Sequence, residues 1–292
     1  MKDLPGYLAL RAGAGVIGLL PASVARALGR MIGLMWHFFA SGRREMARRH
    51  MRRVLGDGID PVGAARSVMQ SYGRYYAETL WVRAGRVDEL RRHTVVEGLE
   101  RIIEARDRGT GMIYGLPHVG NWEVAAPVAV DEKVPVVAVA EKLANRRITE
   151  WFTDLRAGFG IDIVLATGRI EVMRKLEAAL KDNKAVALLS DRDLKGRGVE
   201  VEFFGERTTL PPGPATLALR TGAPLLPVAT YFEGDDGYRV VVRPPIPVPE
   251  EGSRSAKVAE MTQALAAEME SLIRQAPEQW HLVQPNWPSD RA

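Results

Sequence analysis

GMIYGLPHVGNWEVAAPVAV, residues 111–130, is the stretch that decides the fold. Met112–Tyr114 is a short apolar run that reads as a strand. Gly115, Leu116 and Pro117 lead from it to His118, and a helix is predicted over Asn121–Val130, with Asn121 able to cap it. A polar residue at the carboxyl end of a strand and just before a helix lies where α/β folds place their ligands. The same alternation continues downstream. Strands are predicted at Pro135–Ala140, Ile161–Ala166 and Ala185–Ser190, separated by helices at about 145–158 and 170–181. The last of these strands is nearly all apolar, as a strand buried on both faces should be. Further on come β-rich segments at Val199–Phe204 and Leu225–Phe232, a short helix at about 214–220 and an antiparallel return at Tyr238–Val242. The final helix, about 255–275, carries Val258, Met261, Leu265, Met269 and Leu272 on one stripe. Upstream, residues 63–82 place Val68, Tyr72, Tyr75, Tyr76 and Leu80 at helical spacing, and 97–107 reads as a short helix. The expected fold class is α/β: a mixed, mostly parallel sheet flanked by helices. There is no internal repeat and no long linker. The proline-rich PPIPVPEEG (244–252) is a surface loop, so residues 1–292 read as one domain.

Composition narrows the chemistry. The 292 residues are 46% hydrophobic and 26% charged, which is ordinary globular usage. The absence of cysteine excludes disulfides, thiolate catalysis and iron–sulfur clusters. The five histidines are His37, His50, His93, His118 and His281, and no two have the spacing of a zinc motif. No metal site is expected. The net charge is only +4. Arginine supplies most of the basic residues, which suits phosphate recognition through its planar fork. No helix-turn-helix, zinc or RNA-binding motif accompanies that charge, so nucleic acid is not an expected partner.

The amino-terminal region is greasy but interrupted. Residues 7–20 contain Arg11, and residues 22–40 contain Arg26 and Arg30. Neither gives the roughly 18–20 uninterrupted apolar residues of a spanning helix, and neither shows a clear leader-cleavage site. A basic helix follows, with Arg43, Arg44, Arg48, Arg49, Arg52 and Arg53 beside Trp36, Phe38 and Phe39. Residues 1–55 are therefore expected to form a helical segment that docks in the interface of an anionic membrane.

His118 and Glu123 are the leading catalytic candidates. Five residues apart, they would not share one helix face, but a turn between them lets the carboxylate reach back to an imidazole nitrogen. A histidine held that way is a general base with a fixed tautomer. Asp191, Arg192 and Asp193 follow the buried strand 185–190, again at a carboxyl end. A carboxylate there could accept from substrate hydroxyls or reach His118, and Arg192 could bind a phosphate. Glu141 ends strand 135–140 and can point into the same cleft. Trp122 and Trp151 read as core or chain-lining aromatics, and His281 as a tail residue.

The string PHVGNWE, with DRDLKGRGVEVEFFGERTTLPPGPATLALRTGAPLLPV (191–228), resembles the glycerolipid acyltransferase superfamily, whose signature is His-x4-Asp/Glu after a strand. Phe203-Phe204-Gly205, the Pro-Gly-Pro-Ala run at 212–215 and Arg220-Thr221-Gly222-Ala223 are similar to its lipid A lauroyl/myristoyl acyltransferase branch. The arginine-rich bias, DRDL at 191–194 and QWHLVQPNW at 279–287 are most similar to the actinobacterial phosphatidylinositol mannoside acyltransferases of that branch. One departure is Glu123, where many members carry the shorter Asp. The resemblance implies transfer of a fatty acyl chain, palmitoyl by expectation, from acyl-CoA to a mannose hydroxyl of a membrane glycolipid. His118 would be the base and Glu123 its orienter. Arg156 and Arg192 would bind the cosubstrate; Glu141, Asp191 and Asp193 would bind the acceptor. The chain would work on the cytoplasmic face of the plasma membrane, with acyl-CoA as cosubstrate and no resident cofactor.

Overall fold

The computed structural model describes residues 4–58, 60–82, 86–193 and 196–291. Four helices come first: α1 (Leu4–Leu19), α2 (Ala22–Phe39), α3 (Ser41–Leu55) and α4 (Pro61–Trp81). Pro21 separates the first two. Asp60 starts α4 by accepting from the Val62 and Gly63 amides, with Pro61 at the first helical position. The chain then runs through α5 (Val87–Arg92), β1 (Thr94–Glu97), α6 (Leu99–Arg108), β2 (Met112–Leu116), α7 (Ala125–Asp131), β3 (Val136–Ala140), α8 (Arg146–Ala157), β4 (Ile161–Leu165), α9 (Arg169–Lys181) and β5 (Ala185–Leu189). It closes with β6 (Val199–Phe203), β7 (Glu206–Leu210), α10 (Gly213–Thr221), β8 (Leu225–Glu233), β9 (Gly237–Val242) and α11 (Arg254–Gln275).

Seven strands form one sheet in the order β1-β9-β8-β2-β5-β3-β4. Every neighbouring pair is parallel except β8 with β9. The fold is thus α/β, mixed and mostly parallel. Alternation along the strands sends side chains to two apolar layers. Ile113, Val137, Val186 and Leu225 meet Leu265, Met269 and Leu272 of α11 on one face. Met112, Tyr114, Ala138 and Ala187 meet Ile102 of α6 and Ala126 and Ala129 of α7 on the other. Two strands lie where the sequence suggested none. Thr94–Glu97 pairs in parallel with β9 at the sheet edge. Glu206–Leu210 folds back on β6 as a separate hairpin. Phe204 and Gly205 both have positive φ (52° and 74°) between β6 and β7, as a tight two-residue hairpin turn requires. The helix expected to start at Asn121 instead opens as a 3-10 turn at Trp122–Val124, and α7 begins only at Ala125.

The amino-terminal helices are built into the body of the molecule. Gly29 and Gly33 of α2 lie against Gly73 of α4 so closely that a side chain at any of the three would collide with backbone. At the same contact Glu78 Oε1 accepts from Arg26 Nε and Arg74 Nε, each at 2.9 Å. Glu78 Oε2 accepts from Asn121 Nδ2 at 3.3 Å. All four residues are buried. The outer faces differ: Leu8, Val16 and Leu19 of α1 and Met31, Met35, Phe38 and Phe39 of α2 are exposed. No helix among the described residues is long and apolar enough to cross a membrane. Not every arginine of α3 is free to face a membrane. Arg53 is turned inward, pairing with Glu206 at 2.9 Å and Asp290 at 2.8 Å.

Candidate active site

The register of two parallel strands creates the central contact. β2 and β5 are neighbours, with Leu116 opposite Leu189. His118 and Asp191 each lie two residues beyond those ends, so pairing sets them side by side. His118 Nδ1 donates to Asp191 Oδ1 at 2.6 Å. Asp191 Oδ2 accepts from the His118 backbone N–H at 2.9 Å and from Trp280 Nε1 at 2.8 Å. Burial alone would push the Asp191 carboxyl up. The charge of His118 and these donors outweigh it and hold the group below the usual carboxylate range. An ionised Asp191 fixes the proton on Nδ1. Nε2 makes no hydrogen bond among the described residues, and the imidazole lines a cavity. The pair is therefore a base with an oriented tautomer and an open acceptor nitrogen.

The loop is held from three sides. Gly120 has φ of +56°, and a Cβ there would strike the Thr230 backbone. The Gly120 N–H donates to the Gln279 carbonyl at 3.0 Å, and the His281 N–H donates to the His118 carbonyl at 2.8 Å. Gln279 is itself clamped to the Phe232 backbone through both ends of its amide.

Glu123 is not the partner of His118. It is buried, with Oε1 accepting from Arg156 Nε and Oε2 from Thr79 Oγ1, each at 2.9 Å. The 3-10 turn, closed by the Glu123 N–H on Asn121 Oδ1, aims the carboxylate at α4 and α8 rather than back at the imidazole. The orienting position expected of Glu123 is occupied by Asp191. Arg156 is correspondingly engaged: burial pulls its pKa down, but Glu123 and Tyr75 together more than offset this and raise it. Its guanidinium lies over Trp122 and Phe152, 5.5 and 5.6 Å from the ring centroids.

Both acidic residues after β5 are engaged by partners within the protein. Asp191 has no exposed surface. Asp193 Oδ2 accepts from the Gly198 N–H at 2.6 Å and from Thr209 Oγ1 at 2.9 Å, tying its loop to the β6–β7 hairpin. Glu141 and Arg192 do line the cavity with His118 and Arg156. Arg192 has no ion-pair partner among the described residues. The cavity measures about 590 Å³ and has an apolar wall that includes Val139, Ile163, Leu165 and Leu188.

Two residues outside the expected set belong to this site. His281 lines the cavity beside His118, accepts or donates one hydrogen bond with Ser71 Oγ at 2.9 Å, and stacks on Tyr72. Burial, followed by the charge of His118, pushes it down to about 3. It is neutral in the working range. Trp280 is the other. Their one signal is the resemblance string QWHLVQPNW; neither has a periodicity to read, and the proximity of this coil segment to His118 is a long-range contact.

The chain is similar to known proteins along most of its length. A phosphatidylinositol mannoside acyltransferase of Mycolicibacterium smegmatis is 36% identical over 254 residues, covering 86% of this chain and 81% of that protein. One from Mycobacterium tuberculosis is 36% identical over 261 residues, covering 87% and 80%. The model of the family described as bacterial lipid A biosynthesis acyltransferase matches residues 5–289. That match spans the whole sheet and the loop that bears His118, and the chain belongs to the bacterial lipid A biosynthesis acyltransferase family.

Proposed function

We propose that the protein transfers a fatty acyl chain, palmitoyl in the first instance, from acyl-CoA to a mannose hydroxyl of phosphatidylinositol mannoside. The observation that carries the reading is His118, oriented by Asp191, at an apolar cavity in a chain whose relatives bear that name. The acyl chain lies along Val139, Ile163, Leu165 and Leu188, where each buried methylene contributes about 0.8 kcal/mol. The acceptor hydroxyl attacks the thioester carbonyl while His118 Nε2 takes its proton. The tetrahedral intermediate collapses, the carbon–sulfur bond breaks, and the imidazolium returns the proton to the departing thiolate. Asp191 stabilises the imidazolium in between. The chain has no cysteine and no Gly-x-Ser-x-Gly elbow, so direct transfer needs no acyl-enzyme. Glu141 accepts from sugar hydroxyls, Arg192 meets a phosphate of cosubstrate or acceptor, and the Glu123–Arg156 pair shapes the cavity wall. Incubation with palmitoyl-CoA and a panel of glycolipids, with products identified by mass spectrometry, should give acylated phosphatidylinositol mannoside. The family's description favours one second reading, a lipid A-type acceptor, and a lipid A precursor belongs in the same panel. Binding without any thiol release from palmitoyl-CoA would instead mean a lipid-binding protein with a relict site.

Membrane docking is part of the same proposal and sets the enzyme on the cytoplasmic face of the plasma membrane. Arg43 of α3 lies over Trp36 of α2, 4.6 Å from the ring centroid, beside the exposed Phe38 and Phe39, and α1 adds the exposed Leu8, Val16 and Leu19. The protein is expected to co-sediment with anionic vesicles, and more weakly as salt rises, since exposed charge is screened within about 8–10 Å near physiological ionic strength. Equal binding to neutral vesicles would remove the electrostatic half of the claim.

A further inference from the structure

Trp280 is an unusual neighbour for a catalytic pair. Its ring is wholly buried among His50, Phe204 and Trp287, with centroids 5.4, 5.6 and 6.3 Å away. A Trp in such a place needs only one partner for its N–H. Here that partner is the carboxylate on which His118 depends, at 2.8 Å. The backbone of the same segment pairs with the histidine's own loop: Trp280 forms a β-bridge with Val119, and the His281 N–H holds the His118 carbonyl. One short stretch of coil therefore grips both members of the pair, one by main chain and the other by side chain.

We propose that Trp280 is a positioning residue for the proposed acyl transfer, its indole N–H fixing Asp191 Oδ2 so that Oδ1 stays aimed at His118 Nδ1. The inference rests on the reading of His118 as the base. A carboxylate turns about one bond. Oδ2 has two donors, the His118 N–H and Trp280 Nε1. Removing Trp280 leaves a single donor, contributed by the very residue to be oriented. Asp191 has no exposed surface where solvent could substitute for the indole. The lost donor also makes the carboxylate more basic. With less stabilisation, the anion holds the imidazolium proton more firmly. The dyad then releases that proton at higher pH.

The test compares wild type, Trp280→Phe, His118→Ala and the double variant. The readout is thiol release from palmitoyl-CoA with phosphatidylinositol mannoside present, followed from pH 5 to 9. Trp280→Phe is expected to lose about tenfold to a hundredfold in kcat. KM for palmitoyl-CoA should hold, and the acidic limb of kcat/KM should move to higher pH. His281, Arg192, Glu141 and Arg156, with Glu123 paired behind it, line or back the same cavity and are common to wild type and variant, so the displacement belongs to the missing donor. Trp280 replaced by 3-benzothienylalanine, which keeps the indole's shape but has no N–H, should behave as Trp280→Phe does and separates hydrogen bonding from packing. In the His118→Ala background, Trp280→Phe should cost nothing further. An unmoved acidic limb in both Trp280 replacements overturns the proposal, whatever their kcat, because damage to packing lowers rate at every pH alike. Wild-type rates in His118→Ala would mean that the base reading itself has failed.

Discussion

His118→Ala is expected to lower acyl transfer by about 10²–10⁴-fold, the usual worth of a general base, while unfolding and acyl-CoA affinity stay near wild type. The ring is partly exposed and none of the core rests on it. Asp191→Asn should lose a comparable amount for a different reason. The amide keeps the shape but can donate to Nδ1, which forces the imidazole proton onto Nε2, where no hydroxyl proton can then be accepted. Glu123→Gln makes the discriminating comparison. Its carboxylate touches Arg156 and Thr79 and not the imidazole, so it should retain much more activity than Asp191→Asn. It should be less stable than wild type, because Arg156 loses its charged partner. Rates are measured as glycolipid product and stability as the midpoint of urea unfolding. A Glu123→Gln variant slower than Asp191→Asn would return the orienting role to Glu123, and near-wild-type turnover in His118→Ala would sink the mechanism.

The largest effect on stability should come from Glu78→Ala. It leaves Arg26 and Arg74, both buried, facing each other without an anion. Removing one member of a buried charge cluster typically costs about 3–5 kcal/mol. Glu78→Gln keeps a hydrogen-bond acceptor and should cost less. Asn121 also loses a partner, so activity should fall in Glu78→Ala beyond what the unfolded fraction explains, measured well below the unfolding transition. An unchanged unfolding midpoint would show that the cluster contributes nothing to the fold.

Reading the chain alone reached the parallel centre of the sheet because those strands are unusual in composition. Ala185–Leu189 is a run of five apolar residues, and the helices on either side have their own periodicity. The two unexpected strands have neither property. Thr94–Glu97 is four residues long and half exposed, and its only partner, β9, lies far away in sequence. Glu206–Leu210 begins Glu-Arg-Thr-Thr and is a strand because β6 and the Phe204-Gly205 turn make it one. At the site, His118 and Asp191 were both visible as residues after strands. Their partnership stood only as one of two options for a carboxylate after strand 185–190, because it depends on β2 and β5 being neighbours in register although two strands intervene in the chain. Local spacing favoured Glu123 instead, and a 3-10 turn in place of an α-helix sends that side chain elsewhere. Trp280 and His281 come from coil, which leaves no periodicity to read.

The seat of α2 on α4 also bears on handling the protein without detergent. Trimming the greasy amino-terminal helices is the obvious route to a more tractable sample, but it would take Arg26 from Glu78 and uncover the glycine-lined trough on α4. The most exposed apolar side chains of these helices are on the opposite face: Leu19, Phe38 and Phe39 are 84%, 65% and 82% exposed. Exchanging those three for polar residues shrinks the exposed apolar surface and leaves the inner contacts, and the loop that bears His118, resting on the same foundation.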